Sequence, residues 1–414
     1  MPSESEVIII GAGAAGLSAA LELETLGVDY TLIEGSHRIG GRAYSEEIAP
    51  GAWFDLGCSY LHQGETNPFG PIADQLDITI GRQHGEIFEK TRAYHNGVLL
   101  KGPQHDAYSD YFAACDSVIQ ASVARNEDVA IADLIDLESE FLDSYANAMA
   151  GLNTLDIDET SSLDYASFVH GCDYPVLNGY GNLVATWGKS VPVALNTRVN
   201  AIDWSDKRVR VETSKGSLNG RAVLCSVSTG VLAAADIKFS PILPDWKIDA
   251  IQGLPTGTEN KVGLHFDRDV FGADGRGFHN VWNDEGEAAG LEASVMGQNI
   301  AIVFTGGRHA IWLEKQGQQA SHDFALDRVV EVFGNDIRKH VTRSIATAWT
   351  TEPWTRGSYS CALPGQAHQR EILARPLDQR LFFAGEATTV GDNSTCHGAY
   401  RSGIRAAREI AASM

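Results

Sequence analysis

Val7-Ile8-Ile9-Ile10-Gly11-Ala12-Gly13-Ala14-Ala15-Gly16 is an apolar run, a glycine-rich turn and the start of a helical pattern. In such a turn the first glycine permits the tight bend and the second lets backbone approach a pyrophosphate. The third lets the helix pack on the strand. Outward from this stretch, apolar spacing predicts a strand over 6–10, a helix over 14–26 and a second strand over 30–34. Glu34 closes the second strand, where a carboxylate meets ribose hydroxyls. Backbone N–H groups at the helix N-terminus face the phosphates. The unit reads as a dinucleotide-binding βαβ fold, and these residues alone leave NAD and FAD both open.

The next segment narrows the choice. His37-Arg38-Ile39-Gly40-Gly41-Arg42 stands directly after the acidic residue. Its two glycines let backbone pass close to a diphosphate, and Arg42 can neutralise it bidentately. Here the chain resembles the flavin amine oxidase family of monoamine oxidases, polyamine oxidases and flavin-dependent histone demethylases. The resemblance recurs in Phe54-Asp55-Leu56-Gly57-Cys58-Ser59-Tyr60-Leu61-His62, Asn178-Gly179-Tyr180-Gly181-Asn182-Leu183 and Thr197-Arg198-Val199. It continues through Glu259-Asn260-Lys261-Val262, Trp349 and Pro353-Trp354-Thr355-Arg356-Gly357-Ser358-Tyr359-Ser360. It ends in Phe383-Ala384-Gly385-Glu386-Ala387-Thr388 and His397-Gly398-Ala399-Tyr400-Arg401-Ser402-Gly403.

The resemblance implies FAD, held by Gly11, Gly13, Ala15, Gly16, Glu34, Gly40, Gly41 and Arg42 at one end. It adds Gly57, Cys58, Ser59, Tyr60, Val199, Trp349, Trp354, Gly385, Glu386, Thr395, Cys396 and Ala399. Val199 would reach the adenine through its backbone, and Glu386 offers acceptors for ribitol hydroxyls. A helix from about His397 would aim its N-terminus at the flavin pyrimidine edge, where reduced flavin is anionic; its Gly/Ala content also suits tight packing on the sheet. Ser358 stands where monoamine oxidases carry the cysteine that bonds to flavin. A serine has no thiolate for that bond, so the FAD is expected to be noncovalent.

Lys261 lies in a run that otherwise reads as a buried strand, and a buried lysine is costly unless paired. The resemblance gives it a water held against flavin N5; a structural salt bridge is the plainer reading. Tyr359 fits one wall of an aromatic cage around the reacting amine. The opposite wall reads Thr395, as in animal polyamine oxidases and histone demethylases. His62 resembles the channel histidine of polyamine oxidases, able to take a proton or hydrogen-bond an amine; a loop histidine satisfied by backbone is the alternative.

The implied reaction moves a hydride from the carbon next to an amine nitrogen to flavin N5. The imine is hydrolysed to aldehyde plus amine, and oxygen reoxidises the flavin to give hydrogen peroxide. The nitrogen must present its lone pair, yet an alkylamine of pKa about 10.4 is only ~0.1% neutral near neutral pH. Apolar and aromatic surroundings at the reacting nitrogen help by disfavouring the cation. Carboxylates are expected further out, on charges the substrate keeps. The expected substrate is a polyamine or other extended amine. Monoamine oxidase and L-amino-acid oxidase are the alternatives, the latter lacking an assignable clamp for the substrate carboxylate. A histone demethylase is less suited, because no reader domain or long helical insertion is visible. A flavin-carrying interaction protein without turnover is the reading from a different class, and Lys261, Trp354 and Tyr359 together argue against it.

Composition agrees with a globular α/β protein of two domains: 414 residues, 43% hydrophobic, 42 glycines. The expected class is a discontinuous Rossmann-like FAD domain (1–75, 176–237, 376–414) with an α+β substrate domain (76–175, 238–375). The substrate domain would hold a mixed sheet and helices, with 106–150 reading as helix. A net charge of −22 without a basic face excludes nucleic acid and anionic membranes as partners. No apolar run reaches the ~20 residues of a membrane span, and no signal peptide is visible. Six scattered cysteines without metal-ligand spacing give no metal site and suit a cytoplasmic location. Between Gln104 and Thr160, thirteen acidic residues face one arginine, Arg125. They read either as a solvated helix face or as a field for a cationic substrate.

Overall fold

The computed structural model describes residues 4–82 and 91–414. Its opening unit is the strand Glu4–Ile10, the helix Ala14–Leu26 and the strand Tyr30–Ile33. Val7, Ile8 and Ile9 are fully buried, because the first strand pairs in parallel with Gly216–Cys225 on one side and Tyr30–Ile33 on the other. A strand covered on both faces reads as a continuous apolar run. Gly27 ends the helix in the left-handed region (φ 71°), with its N–H on the Glu24 and Leu23 carbonyls.

Among the described residues this first sheet has eight strands. In order they are Lys238–Ser240, Val199–Asp203, Val209–Thr213, Gly216–Cys225, Glu4–Ile10, Tyr30–Ile33 and Val193–Ala194, with Leu381–Phe383 pairing in parallel with Gly216–Cys225. The second sheet has seven: Val341–Ala346, Glu259–Phe266, Ile300–Gly306, Ala288–Ala293, Gly277–Trp282, Arg92–His95 and Val98–Leu99. It is antiparallel except where Gly277–Trp282 meets Arg92–His95, and so is mixed. A Rossmann-like unit beside a mixed-sheet unit is the fold class expected from the sequence. Within Glu259–Phe266, Val262, Leu264 and Phe266 join one core with Phe324, Ala325 and Val329 of the helix Gln318–Phe333. Strand alternation then turns Glu259 and Lys261 to the opposite face.

Two expectations are corrected. The helix over 106–150 is two helices, Pro103–Ala124 and Leu142–Asn153, with Asn126 left-handed between them (φ 56°). Asp128 turns inward there to accept from Ser161 Oγ (2.5 Å) and the Ala367 N–H (3.0 Å), contacts that a continuing helix would not allow. The boundary at 237/238 also moves. Lys238–Ser240 adds to the first sheet, and the helices Asp245–Gly253 and Gln369–Ala374 place Ala250, Ile251 and Leu373 in the core beneath it.

The C-terminal helix Cys396–Ala412 lies against the glycine-turn helix, and its Ala406, Ala407 and Ile410 share one core with Val7, Ile9 and Leu224 of the first sheet. Gly403 makes the contact between the helices possible, since a Cβ there would fall 2.1 Å from the Ala15 carbonyl oxygen. No helix among the described residues is long and apolar enough to cross a membrane.

Candidate active site

One cavity of about 1350 Å³ is lined from both units. At its nucleotide end, Glu34 accepts the Ala12 N–H at 2.7 Å and the Ser36 N–H at 2.8 Å, which locks the carboxylate to the glycine turn. Gly13 and Gly40 bridge each other, and the Gly40 N–H donates to the Ala12 carbonyl at 2.8 Å. A Cβ on Gly13 would meet nothing closer than 4.0 Å and would stand in the cavity itself. Gly41 and Gly385 hold φ of 57° and 127°, which other residues rarely adopt. Bare backbone, a locked carboxylate and two helix N-termini make a cradle that suits the diphosphate and ribose of FAD. Gly16 alone of the expected contacts does not line the cavity. Its missing Cβ would lie 1.8 Å from the Gly11 carbonyl oxygen, so it permits the turn rather than touching a ligand. Val199 lines the cavity beside a bulge between Val199 and Ala201.

Arg42 lines the cavity and is also engaged within the protein. Its Nη1 donates to Glu386 Oε1 at 2.8 Å and to the Ser358 carbonyl at 2.9 Å, so a buried carboxylate already matches its charge. Glu386 also accepts from Ser360 Oγ (2.6 Å) and the Ser394 N–H (3.1 Å). Burial pushes the Glu386 carboxyl up, but the Arg42 and Arg370 charges outweigh it and hold it below the ordinary range. The group expected to receive ribitol hydroxyls is thus also the hub that ties three segments together.

At the other end, the buried Lys261 Nζ donates to the Gly57 carbonyl and to Ser59 Oγ (2.7 Å). Those partners satisfy the charge without a salt bridge among the described residues. Gly57 comes this close because a Cβ would lie 1.7 Å from the Arg42 carbonyl oxygen. Trp349 Nε1 donates to the Leu56 carbonyl at 3.0 Å, and the Trp354 ring covers Gly35, where a Cβ would sit 2.4 Å from the ring. Cys58, Ser59, Tyr60, Cys396 and Ala399 all line the space. Cys58 and Cys396 at the cavity, like Cys115, Cys225 and Cys361, are free thiols.

Tyr359 gives its hydroxyl proton to the Gly151 carbonyl at 2.5 Å. His62 is held by Asp173, with Nδ1 to Oδ1 at 2.7 Å, so a carboxylate and not backbone orients it. Thr395 lines the cavity and has a further part as a helix cap. Its hydroxyl donates to the Asp392 carbonyl (2.7 Å) and accepts the Gly398 N–H (2.9 Å), capping the last helix. With both uses taken, it fixes the helix N-terminus at the cavity. None of the thirteen acidic residues between 104 and 160 lines the cavity; Asp156, Asp158 and Glu159 gather on Arg308 instead.

A family model described as flavin containing amine oxidoreductase matches residues 100–411, and one for an NAD(P)-binding Rossmann-like domain matches 9–76. The chain belongs to the flavin-containing amine oxidase family. Polyamine oxidase 3 of Oryza sativa subsp. japonica is 30% identical, across 97% of this chain and 88% of that protein. Lysine-specific histone demethylase 1 homolog 1 of the same plant is also 30% identical, but this chain spans only 52% of it. A solved putrescine oxidase variant from a redesign of cofactor binding superposes with a TM-score of 0.81 over 99% of both chains, at 18% identity. This amine oxidase is therefore an FAD-dependent oxidoreductase, and the reading as a non-catalytic carrier falls away.

Two carboxylates of this amine oxidase escaped the sequence reading. Glu259 lines the cavity, two residues before Lys261 on the same strand face, and that spacing was the available signal. Glu292 is fully buried beneath Tyr60, whose hydroxyl donates to its Oε2, while Oε1 has no hydrogen-bond partner among the described residues. Burial raises the Glu292 carboxyl from the ordinary 4.5 to about 7, against the pull of the Tyr60 hydrogen bond and Lys261. The folded state therefore holds a proton between about pH 4.5 and 7 that the unfolded chain has released. Stability falls as pH rises through that window, by about 3 kcal/mol at ~1.36 kcal/mol per pH unit. Glu292→Gln is expected to raise the Tm of the holoprotein at pH ~8 and to leave it unchanged near pH ~4.5. Equal Tm values at both pH values would sink this account.

Proposed function

We propose that this amine oxidase acts on a polyamine or another extended amine and holds its FAD without a covalent bond. The observation that carries the substrate reading is the lining of the cavity. Besides the flavin end, the same space takes in the His62–Asp173 pair, Asn147, Asn153 and His170, polar groups suited to amine nitrogens along a chain. The similarity to plant polyamine oxidases supports the same substrate class. When bound, FAD supplies the acceptor for a hydride from the carbon next to nitrogen and passes the electrons to oxygen as peroxide. The protein's own residues orient the amine: Tyr359 and Phe304 offer ring faces, and the Asp173-held His62 hydrogen-bonds a nitrogen. The noncovalent reading rests on Ser358, whose hydroxyl donates to the Gly257 carbonyl (3.2 Å) and accepts the Glu259 N–H (2.7 Å).

An L-amino-acid oxidase would need a free cation for the substrate carboxylate. Of the arginines lining the cavity, Arg42 is paired with Glu386 and Arg356 with Asp236; Arg38 donates to the Gly41 carbonyl and Arg198 to Asn200. The test is anaerobic mixing of the holoprotein with spermidine, spermine, tyramine and leucine. Bleaching of the flavin by spermidine or spermine is expected, with peroxide released on admitting air and intact FAD in the supernatant after acid precipitation. Bleaching by tyramine or leucine alone would overturn the substrate reading.

A further inference from the structure

Glu259 is a cavity-lining carboxylate with no salt bridge among the described residues, where the reaction needs a proton acceptor. It opens the strand that carries Lys261, and strand alternation puts both on the face that lines the cavity. Its backbone is pinned to the segment of Tyr359. The Glu259 N–H donates to Ser358 Oγ at 2.7 Å, the Ser358 N–H to the Gly257 carbonyl at 2.9 Å, and the Gly257 N–H to the Tyr359 carbonyl at 2.9 Å. The carboxylate lies beside Lys261, His62 and Tyr359. Lys261 and His62 favour its charge from nearby, but neither forms a salt bridge with it among the described residues. Lys261 donates to Gly57 and Ser59, His62 is paired with Asp173, and the one Tyr359 hydroxyl proton goes to Gly151. Among the described residues Glu259 has no salt bridge, and a half-buried anion facing a cavity is a place for a cation.

We propose that Glu259 receives the substrate's reacting ammonium and takes its proton, so that the nitrogen presents its lone pair between Tyr359 and Lys261. The step is R–NH₃⁺ plus carboxylate giving R–NH₂ plus carboxylic acid. The N–H bond breaks, an O–H bond forms on Glu259, and no electrons leave either partner. This replaces the expectation that carboxylates stand only at the outer charges of the substrate. Burial holds the Glu259 carboxyl above its usual range against the Lys261 and His62 charges, and the same surroundings disfavour the ammonium. The two proton affinities thereby approach each other. Further titratable groups around Lys261 are Asp55, Cys58, Tyr60 and Glu292.

The inference rests on the amine-oxidation reading, and the experiment separates the two. Anaerobic flavin reduction by a bleaching amine is measured from about pH 6 to 10 for wild type, Glu259→Gln and Glu259→Asp, each checked for its bound-flavin spectrum. If no amine bleaches wild-type flavin at any pH, the parent reading fails, not this one. Near pH ~7 the Gln variant is expected to be slower by about 10²-fold or more. Its rate should then climb about tenfold per pH unit towards the amine pKa near 10, closing the gap as free neutral amine becomes available. The Asp variant should keep the wild-type profile at reduced rate. A Gln variant that matches wild type, or trails it by one factor at every pH, overturns the proposal. Should the Gln variant not retain FAD, the Asp profile decides, and loss of its acid limb counts against the assignment.

Discussion

Lys261→Met is expected to keep its FAD and to lose about 10²- to 10⁴-fold in turnover. The substitution keeps an unbranched apolar stem in the strand Glu259–Phe266, so packing behind it changes little. What disappears is the ammonium that ties the Gly57 carbonyl and Ser59 Oγ to this strand. Gly57 and Ser59 line the cavity together with Lys261, so the loss also slackens that wall. Leaving one buried acceptor unmet costs about 1–3 kcal/mol, a modest fall in Tm, and should not by itself expel the cofactor. The ammonium keeps a third N–H beyond the two it gives to Gly57 and Ser59, a donor that methionine lacks. Single-turnover bleaching separates the outcomes. Slow reduction with a normal flavin spectrum places Lys261 in the chemistry, while a turnover within about threefold of wild type would leave it a purely structural cation.

The parts of this molecule legible in its sequence are those fixed by local chemistry. Gly11 to Gly16 bend, Glu34 answers them from the next strand, and the hydrogen bond from Ala12 to Glu34 that joins them spans 22 residues. The helix Ala14–Leu26 was legible because Gly27 stops it in a conformation few other residues take. Where the period ran on without glycine or proline, as through Asn126, the break came from Asp128 reaching partners on distant segments. The site divides in the same way. Lys261 stood out as a charge in an apolar strand. Glu259 and Glu292 did not, since their meaning depends on Tyr359 from a later segment and Tyr60 from an earlier one. The helix-capping part of Thr395 was not legible, because its hydroxyl serves the helix that it starts, a local use that site motifs conceal.

Asp164→Asn is expected to cost about 3–5 kcal/mol, although Asp164 holds no expected catalytic or cofactor role. Its carboxylate takes a two-pronged pair from Arg370, Nε to Oδ1 at 2.5 Å and Nη2 to Oδ2 at 2.7 Å, with side-chain exposures of 0% for Arg370 and 4% for Asp164. Arg370 Nη1 donates to Ser360 Oγ (2.9 Å), which donates to Glu386 Oε2 (2.6 Å), and Arg42 completes the chain from the other side. Two cations and two anions thus balance in a water-poor layer beneath the flavin end. An asparagine keeps the shape, including an acceptor for the Ala362 N–H, but leaves the buried Arg370 unmatched by its nearest anion. The charge then falls on Glu386 alone, already engaged by Arg42, so the floor of the cofactor cradle should loosen with the fold. Denaturant unfolding of the holoprotein reads the first effect, and FAD retained after dialysis reads the second. Breaking one partner of a buried pair is worse than replacing both with apolar groups. The double variant Asp164→Leu/Arg370→Met should therefore recover part of the stability without recovering FAD affinity. If Asp164→Asn unfolds within about 1 kcal/mol of wild type, the pair is not holding this layer together, and Asp164 is not coupled to the cofactor site.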